Sequence, residues 1–314
     1  MQASLNWAVI LAGGDGLRSQ PDAQVPADMR PRQFCRLLAR QTLLGATRAR
    51  LCHIVAPDNT LYVVNGQHRP FYRDDVTDVG SHQLIEQPAN RGTGPAMAYA
   101  LAKLKRYDPG AVVGFFPSDQ HIDNVALFSR AIAGAYWAAR QDPTRVVMIG
   151  APPVRPESDY GWIVRGTWQA RLSVAAQFPV HSVESFIEKP AESLAHALMA
   201  NGGLWNTFIM IGRVRTFLAL IASATPQLCI SFTPLVSAAG LAAESSIADA
   251  VYAETPCLDF SRDILAPQPE RLSVLEAPAM GWTDLGRADR MLSHLDAPAY
   301  PMRGPSAAHG LSAS

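Results

Sequence analysis

Charge is scarce in this chain. Charged residues make up 17% of it, below the roughly 25% usual for soluble proteins. With 48% hydrophobic residues, that excludes a disordered or polyelectrolyte chain and leaves a globular protein. Lys plus Arg and Asp plus Glu both number 27, so the formal charge is zero. No global field then draws the molecule to nucleic acid or an anionic membrane, and an anionic ligand must be held by local groups. Long apolar runs are missing as well: none approaches the roughly 20 residues that span a bilayer. Met1–Trp7 lacks the basic start and apolar stretch of a signal peptide, so the expected address is the cytoplasm. The four cysteines, Cys35, Cys52, Cys229 and Cys257, form no C-x-x-C pair. Neither a zinc site nor a disulfide framework is indicated, and the thiols are read as reduced and mostly buried. No repeat with a period of about 20 to 50 residues stands out.

What is present is an alternation of short β-branched runs with amphipathic stretches. Trp7–Leu11, Leu61–Asn65, Gln83–Glu86, Ala111–Phe116 and Val146–Ile149 read as strands. Gln41–Leu51, Gly94–Arg106 and Ala126–Arg140 read as helices between them, with Asp108-Pro109-Gly110 and Gln141-Asp142-Pro143 as stop signals. This pattern predicts an α/β fold, a mixed and mostly parallel sheet with helices on both faces. After about residue 150, prolines at 152, 153 and 156 interrupt the order. Strands at Trp162–Arg165, Val183–Glu188 and Leu204–Ile211, with helices at Ala191–Ala200 and Arg213–Ser223, predict a partly antiparallel region packed on the same sheet. The chain from Ala297 to Ser314, rich in Pro, Ser, Ala and Gly, reads as a flexible tail.

The first strand runs into Leu11-Ala12-Gly13-Gly14-Asp15-Gly16-Leu17-Arg18, a turn whose backbone amides and guanidinium suit a phosphate chain. Such turns also exist for tight packing alone. Neither standard nucleotide signature is met: no Gly-Lys-Ser/Thr follows, and Ser19 occupies the third glycine position of the dinucleotide pattern. Further motifs follow in order. They are Arg30-Pro31-Arg32-Gln33-Phe34, Gln87 to Ala96, Phe116-Pro117-Ser118-Asp119, Pro156 to Trp162, Phe186-Ile187-Glu188-Lys189-Pro190, Leu204 to Phe208 and Gly281 to Gly286.

Together these eight segments resemble the sugar-phosphate nucleotidylyltransferases, most closely bacterial mannose-1-phosphate guanylyltransferases, from about Trp7 to Arg290. The resemblance implies a Rossmann-like nucleotide-diphospho-sugar transferase fold. A catalytic region would span 1–296, its nucleotide part about 1–150 and its sugar-phosphate part about 151–296. It implies GTP and mannose 1-phosphate as substrates, a nucleotide sugar and pyrophosphate as products, and Mg²⁺ as cofactor. The reaction is in-line attack by an already ionised phosphate, so positioning and charge neutralisation are required rather than a general base. Nucleic acid and membrane are not expected partners. A homodimer is compatible with the low charged fraction, though no interface pattern stands out.

Residue by residue, the resemblance assigns Leu11, Ala12, Gly13, Gly14 and Gly16 to the nucleotide, with Arg18 and Arg32 as cations for the triphosphate. Pro88, Arg91, Gly92 and Thr93 fall in the base-reading segment, although Thr93 also suits a helix start. Lys189 would meet the attacking phosphate, while Gly161, Glu188 and Asn206 would face the sugar. Glu188 and Lys189 are equally readable as an exposed charge pair, and Asn206 as a turn former. Asp119, after a buried strand, and Asp284 would bind Mg²⁺, which wants one or two carboxylates plus phosphate oxygens and water. Each also suits a cap, Asp284 for a helix at Arg287–Leu295. His121 follows the Asp119 motif without a paired ligand, and Trp205 and Trp282 read as packing. Arg262 and Asp263 match the family loosely, Asp259 better, and none is assigned a role.

Three departures stand out. Arg32 replaces the family's usual lysine, and a planar fork is not a compact ammonium. Gly92 stands where asparagine is common, and Leu17 with Ser19-Gln20-Pro21-Asp22 departs from the pattern around Arg18. These motivate an alternative, a catalytically weakened homologue that binds nucleotide or nucleotide sugar as a regulator. A nicotinamide-dependent oxidoreductase fits less well, because the glycine spacing is wrong.

Overall fold

Alternate residues of the first strand fill two different cores: Trp7 and Val9 point into one, Ala8, Ile10 and Ala12 into the other. The computed structural model describes residues 6–15, 30–38 and 41–285. Gly16, Arg18, the segment from 19 to 29, the helix expected at Arg287–Leu295 and the 297–314 tail lie outside the described residues.

The strands are β1 (Asn6–Ala12), β2 (Arg36–Leu38), β3 (Gln41–Thr42), β4 (Thr60–Asn65), β5 (Leu84–Gln87), β6 (Val112–Pro117) and β7 (Gln120–His121). They continue as β8 (Val146–Ala151), β9 (Gly161–Trp168), β10 (Val180–Glu188), β11 (Leu204–Arg213), β12 (Leu272–Glu276) and β13 (Thr283–Asp284). The helices are α1 (Leu43–Leu51), α2 (Arg69–Tyr72), α3 (Thr93–Tyr107), α4 (Val125–Gln141) and α5 (Glu192–Ala200). After these come α6 (Val214–Ala224), α7 (Pro226–Ser231), α8 (Thr233–Ala238) and α9 (Glu244–Glu254).

One nine-stranded sheet runs in the order β5-β4-β1-β6-β11-β8-β12-β10-β9. β5, β4, β1 and β6 are mutually parallel, as the β-branched early runs predict. β11 is antiparallel to both β6 and β8, and β12 enters parallel to β8. Apolar residues of α3, α6, α7, α8 and α9 fill one face; those of α1, α4 and α5 fill the other. The α/β architecture with helices on both faces is therefore as the sequence predicts.

Helix starts follow local chemistry. The Thr42 hydroxyl accepts a hydrogen bond from Gly45 N at 3.0 Å, and Asn124 Oδ1 accepts one from Leu127 N at 2.9 Å. The Thr42 cap explains why Gln41 and Thr42, expected within the first helix, belong instead to the β2–β3 hairpin. The thiols also differ from expectation: all four are free, Cys52 and Cys257 are exposed, and Cys35 and Cys229 are only partly buried.

β11 changes neighbours along its length. Leu204 and Trp205 pair with Ile163 and Trp162 of β9. Beyond a register shift between Asn206 and Met210, residues 210–213 pair with β6. Across the shift the Thr207 hydroxyl donates to Ile149 O at 2.7 Å and accepts from Ile209 N at 3.2 Å, and Phe208 takes φ +59°. Such an irregularity opens a sheet locally. A gap lies there between the start of β9 and the carboxyl end of β6, the place where open α/β sheets bind ligands.

Lys103 on α3 is buried and pairs with Glu244 on α9 at 2.8 Å. The Glu244 carboxylate also accepts from the Tyr99 hydroxyl at 3.1 Å and from Gly240 N at 2.7 Å. Removing one member strands a buried charge, which costs about 3–5 kcal/mol. Lys103→Ala is therefore expected to lower the thermal midpoint by roughly 5–10 °C; a midpoint equal to wild type in a thermal melt contradicts this.

Candidate active site

A cleft of about 490 Å³ opens at the carboxyl ends of β1 and β6 and reaches the first residues of β9. Leu11, Ala12, Gly13, Gly14 and Asp15 form one wall. The turn is fixed by Gln33, itself a lining residue, whose amide donates to Ala12 O at 3.0 Å and Gly14 O at 2.7 Å. A side chain at Gly13 would put Cβ 2.1 Å from Gln87 Nε2, so the Gln87 amide would have to move aside. Among the described residues nothing lies within 4 Å of a Cβ built at Gly14. Asp15 accepts from Asn90 Nδ2 at 2.8 Å and lies 3.5 Å from His68 Nε2. Burial lowers the His68 pKa below the usual imidazole value despite the opposing pull of Asp15.

Arg32 lines the cleft although its residue is only 8% exposed. Its Nη1 donates to Leu285 O at 3.4 Å, and its buried Nε has no hydrogen-bond partner among the described residues. At the opposite wall Gly92 takes φ +86° at the start of α3, and a Cβ there would lie 2.4 Å from Leu258 O. The 258–260 segment is fastened to this turn. Leu258 N donates to Arg91 O at 3.0 Å, Gly94 N to Leu258 O at 2.9 Å, and Phe260 N to the Thr93 hydroxyl at 2.8 Å. Thr93 thus starts the helix and also lines the cleft with Gly92. Pro88 and Arg91 are not among the lining residues, and the Arg91 guanidinium turns away to donate to Tyr252 O at 3.3 Å.

Asp119 and Asp284 come to the same cleft from distant parts of the chain. The short β7 and β13 strands pair antiparallel, with Asp284 opposite Gln120, and Leu285 N donates to Asp119 O at 3.2 Å. Among the described residues no group of three or more His, Cys, Asp and Glu could hold a metal ion. A pair of carboxylates on adjoining backbone is instead the donor set of an ion that keeps waters and takes phosphate oxygens, which fits Mg²⁺.

Glu188 and Asn206 line the cleft with Asp159, Tyr160 and Gly161. A Cβ on Gly161 would lie 2.7 Å from Glu188 Oε2, so glycine leaves room for that carboxylate. Lys189 lies outside the lining. It has φ +47°, its N donates to Tyr160 O at 3.2 Å, and its ammonium stands 3.9 Å from Glu188 Oε1 with the side chain 44% exposed. That conformation costs a β-carbon-bearing residue roughly 1–2 kcal/mol, a strain typical of functional turns.

Sequence reasoning leaves several lining residues without a role. Asp259 lines the cleft and caps the following turn, its Oδ1 accepting from Arg262 N at 3.0 Å. Arg262 is exposed and paired with Asp263 at 2.8 and 2.9 Å. Trp282 is a cleft wall, and Trp205 packs beneath it in a cluster with Tyr160, ring centroids 5.1 to 6.2 Å apart. His121 pairs with Asp123 at 2.8 Å and does not line the cleft. Gln33, Gln87 and Gln120 also line the cleft, and no motif rule singles out a glutamine. Only their buried hydrogen bonds reveal them.

The chain is similar to known proteins over most of its length. The chain is 29% identical over 282 residues to a mannose-1-phosphate guanylyltransferase of Klebsiella pneumoniae, covering 88% of this chain and 57% of that one. It is 34% identical over 217 residues to the alginate biosynthesis protein AlgA of Pseudomonas aeruginosa, covering 67% of this chain and 42% of that one. It therefore spans about half the length of the curated relatives it matches. A solved structure described as mannose-1-phosphate geranyltransferase from Thermus thermophilus superposes with TM-score 0.74 at 26% identity, covering 90% of this chain and 76% of that one. UDP-glucose pyrophosphorylase complexed with UDP-glucose, at TM-score 0.56 and 13% identity over 93% of this chain and 97% of that one, shares the fold. The profile of the nucleotidyl transferase family matches residues 7–297, and the chain belongs to that family.

Proposed function

We propose that the chain joins a nucleoside triphosphate, GTP, to a sugar 1-phosphate, mannose 1-phosphate, releasing pyrophosphate and leaving GDP-mannose. The observation that carries this reading is the convergence of the glycine turn, Asp119, Asp284, Glu188 and Asn206 on one cleft. The choice of base and sugar draws on the names of the relatives.

In this reading a phosphate oxygen of the sugar phosphate attacks the α-phosphorus. The bond between the α-phosphorus and its bridging oxygen breaks, and the electron pair leaves with pyrophosphate. Gly13 and Gly14 offer backbone to the phosphate chain, held in register by Gln33. Gly92, Thr93 and the 258–260 segment bound the base, while Glu188 and Asn206 take sugar hydroxyls. Lys189, at the rim, has the reach of a flexible ammonium to meet the incoming phosphate as it replaces Glu188 as partner. Asp119 and Asp284 would hold Mg²⁺, which when bound neutralises charge on the α-phosphate and the departing pyrophosphate.

Electrostatics support the requirement for such an ion. Among the described residues the lining carries the carboxylates of Asp15, Asp119, Asp159, Glu188, Asp259 and Asp284 against the single guanidinium of Arg32. Two phosphorylated substrates do not enter an acidic cleft without a counter-charge. Arg32 keeps a cation on the wall in place of the usual lysine, which supports turnover over a weakened binding homologue. No helix among the described residues is long and apolar enough to cross a membrane.

Pyrophosphate release, measured with the four common nucleoside triphosphates against mannose and glucose 1-phosphates, is expected to be greatest for GTP with mannose 1-phosphate and to vanish in EDTA. Saturable GTP binding without turnover for any pair contradicts the proposal. Asp119→Asn is expected to lower kcat by more than about 100-fold with the thermal midpoint little changed. Lys189→Ala is expected to raise KM for the sugar phosphate more than it lowers kcat. Near-normal steady-state constants in both variants remove the site assignment.

A further inference from the structure

We propose that Gln120 is a positioning residue whose side-chain amide ties the Asp119–Asp284 pair to the β11 irregularity, so that the cation half and the sugar half of the cleft are held as one unit. The inference rests on the functional reading above.

Gln120 is 5% exposed. A primary amide that deep is costly unless both ends are bonded. Both are, and to different structural units. Its Nε2 donates to Thr207 O at 2.5 Å, inside the stretch where β11 exchanges β9 for β6. Its Oε1 accepts from the Trp282 indole N–H at 3.0 Å, immediately before β13. The main chain adds two more ties. Gln120 pairs with Asp284 across the β7–β13 ladder, and its carbonyl accepts from the buried Arg50 guanidinium at 3.1 Å. Arg50 donates as well to the Thr47 hydroxyl at 2.7 Å, and no carboxylate pairs with it among the described residues' ion pairs.

The placement has a mechanical consequence. The segments that carry the two carboxylates meet in a two-residue ladder, with Leu285 N donating to Asp119 O at 3.2 Å, and Asp123 N and Asn124 N donating to Met280 O at 3.2 and 3.1 Å, as the main-chain ties around it. Asp119 directly precedes Gln120, and Trp282 lies two residues before Asp284, so the amide spans the ladder from its flank. The same amide grips Thr207, next to the cleft-lining Asn206. Glutamate at this position has no donor for the Thr207 carbonyl and adds a buried charge. Methionine matches the length and makes neither bond.

The test compares Gln120→Met with Gln268→Met. Gln268 is 6% exposed and donates to Leu220 O at 3.1 Å and Ile264 O at 2.9 Å, in the core on the α6 side of the sheet and away from the cleft. Both variants lose buried amide bonds, so the second controls for stability. Binding of Mn²⁺ alone is followed by loss of the free-ion EPR signal, and the Mg²⁺ requirement by pyrophosphate release. Gln120→Met is expected to weaken Mn²⁺ binding and raise the half-saturating Mg²⁺ concentration by about tenfold, with Gln268→Met equal to wild type in both. Equal behaviour of the two variants overturns the proposal. If Gln120→Met does not fold, Trp282→Phe removes the indole donor, together with part of the ring that walls the cleft, and is expected to weaken Mn²⁺ binding in the same direction; unchanged binding there overturns it too. A wild type that binds Mn²⁺ but releases no pyrophosphate sinks the functional reading, and the EPR comparison still decides the role of Gln120.

Discussion

The site depends on a two-residue antiparallel pairing, β7 against β13, that brings Asp284 to Asp119. Everything upstream in the fold serves to present that pair. β6 delivers Asp119 at the carboxyl end of a buried parallel strand. Ser118 then anchors the exit, its hydroxyl donating to Leu11 O at 2.7 Å, so the strand end and the glycine turn share one fastening. The other side of the ladder is held by Leu285, whose N–H donates to Asp119 O and whose carbonyl accepts from Arg32. A buried guanidinium on the backbone of the carboxylate turn is a role a lysine at this position would fill with different geometry.

The second constraint is the change of partner along β11. A strand flanked by β9 at one end and β6 at the other cannot keep a regular ladder between them. The chain settles the conflict with side-chain oxygens of Asn206 and Thr207 and with a positive φ at Phe208. The resulting gap forms part of the cleft lined by Asn206, Thr207 and Phe208. Both parts share one sheet, so the gap is a defect in a continuous surface.

Much of the fold is legible in the sequence because periodicity reports burial. The five early runs are buried strands within about one or two residues of their expected limits, and the antiparallel character of the later region follows from its broken order. β12 escapes such a reading: it is five residues long, and its place between β8 and β10 depends on pairing across distant sequence. The six-residue α7 and α8 and the turn at Phe260–Leu265 escape it for a similar reason, since one or two helical turns give too little periodicity. In the site, motif spacing locates the turns but not the direction of their side chains. Arg91 follows Asn90 in the expected segment yet faces Tyr252, and Lys189 follows Glu188 yet stays at the rim. Direction is set by φ and by contacts with segments such as 258–260, which no local pattern encodes.

The central claim is that one divalent ion sits between Asp119 and Asp284 and a phosphate chain laid along the glycine turn. Crystals grown with Mn²⁺ and a non-hydrolysable GTP analogue, measured at the manganese absorption edge, test it directly. The expected result is an anomalous peak bonded to both carboxylates and to phosphate oxygens. A peak elsewhere, or nucleotide bound away from the Gly13–Gly14 backbone with neither aspartate in contact, would contradict it.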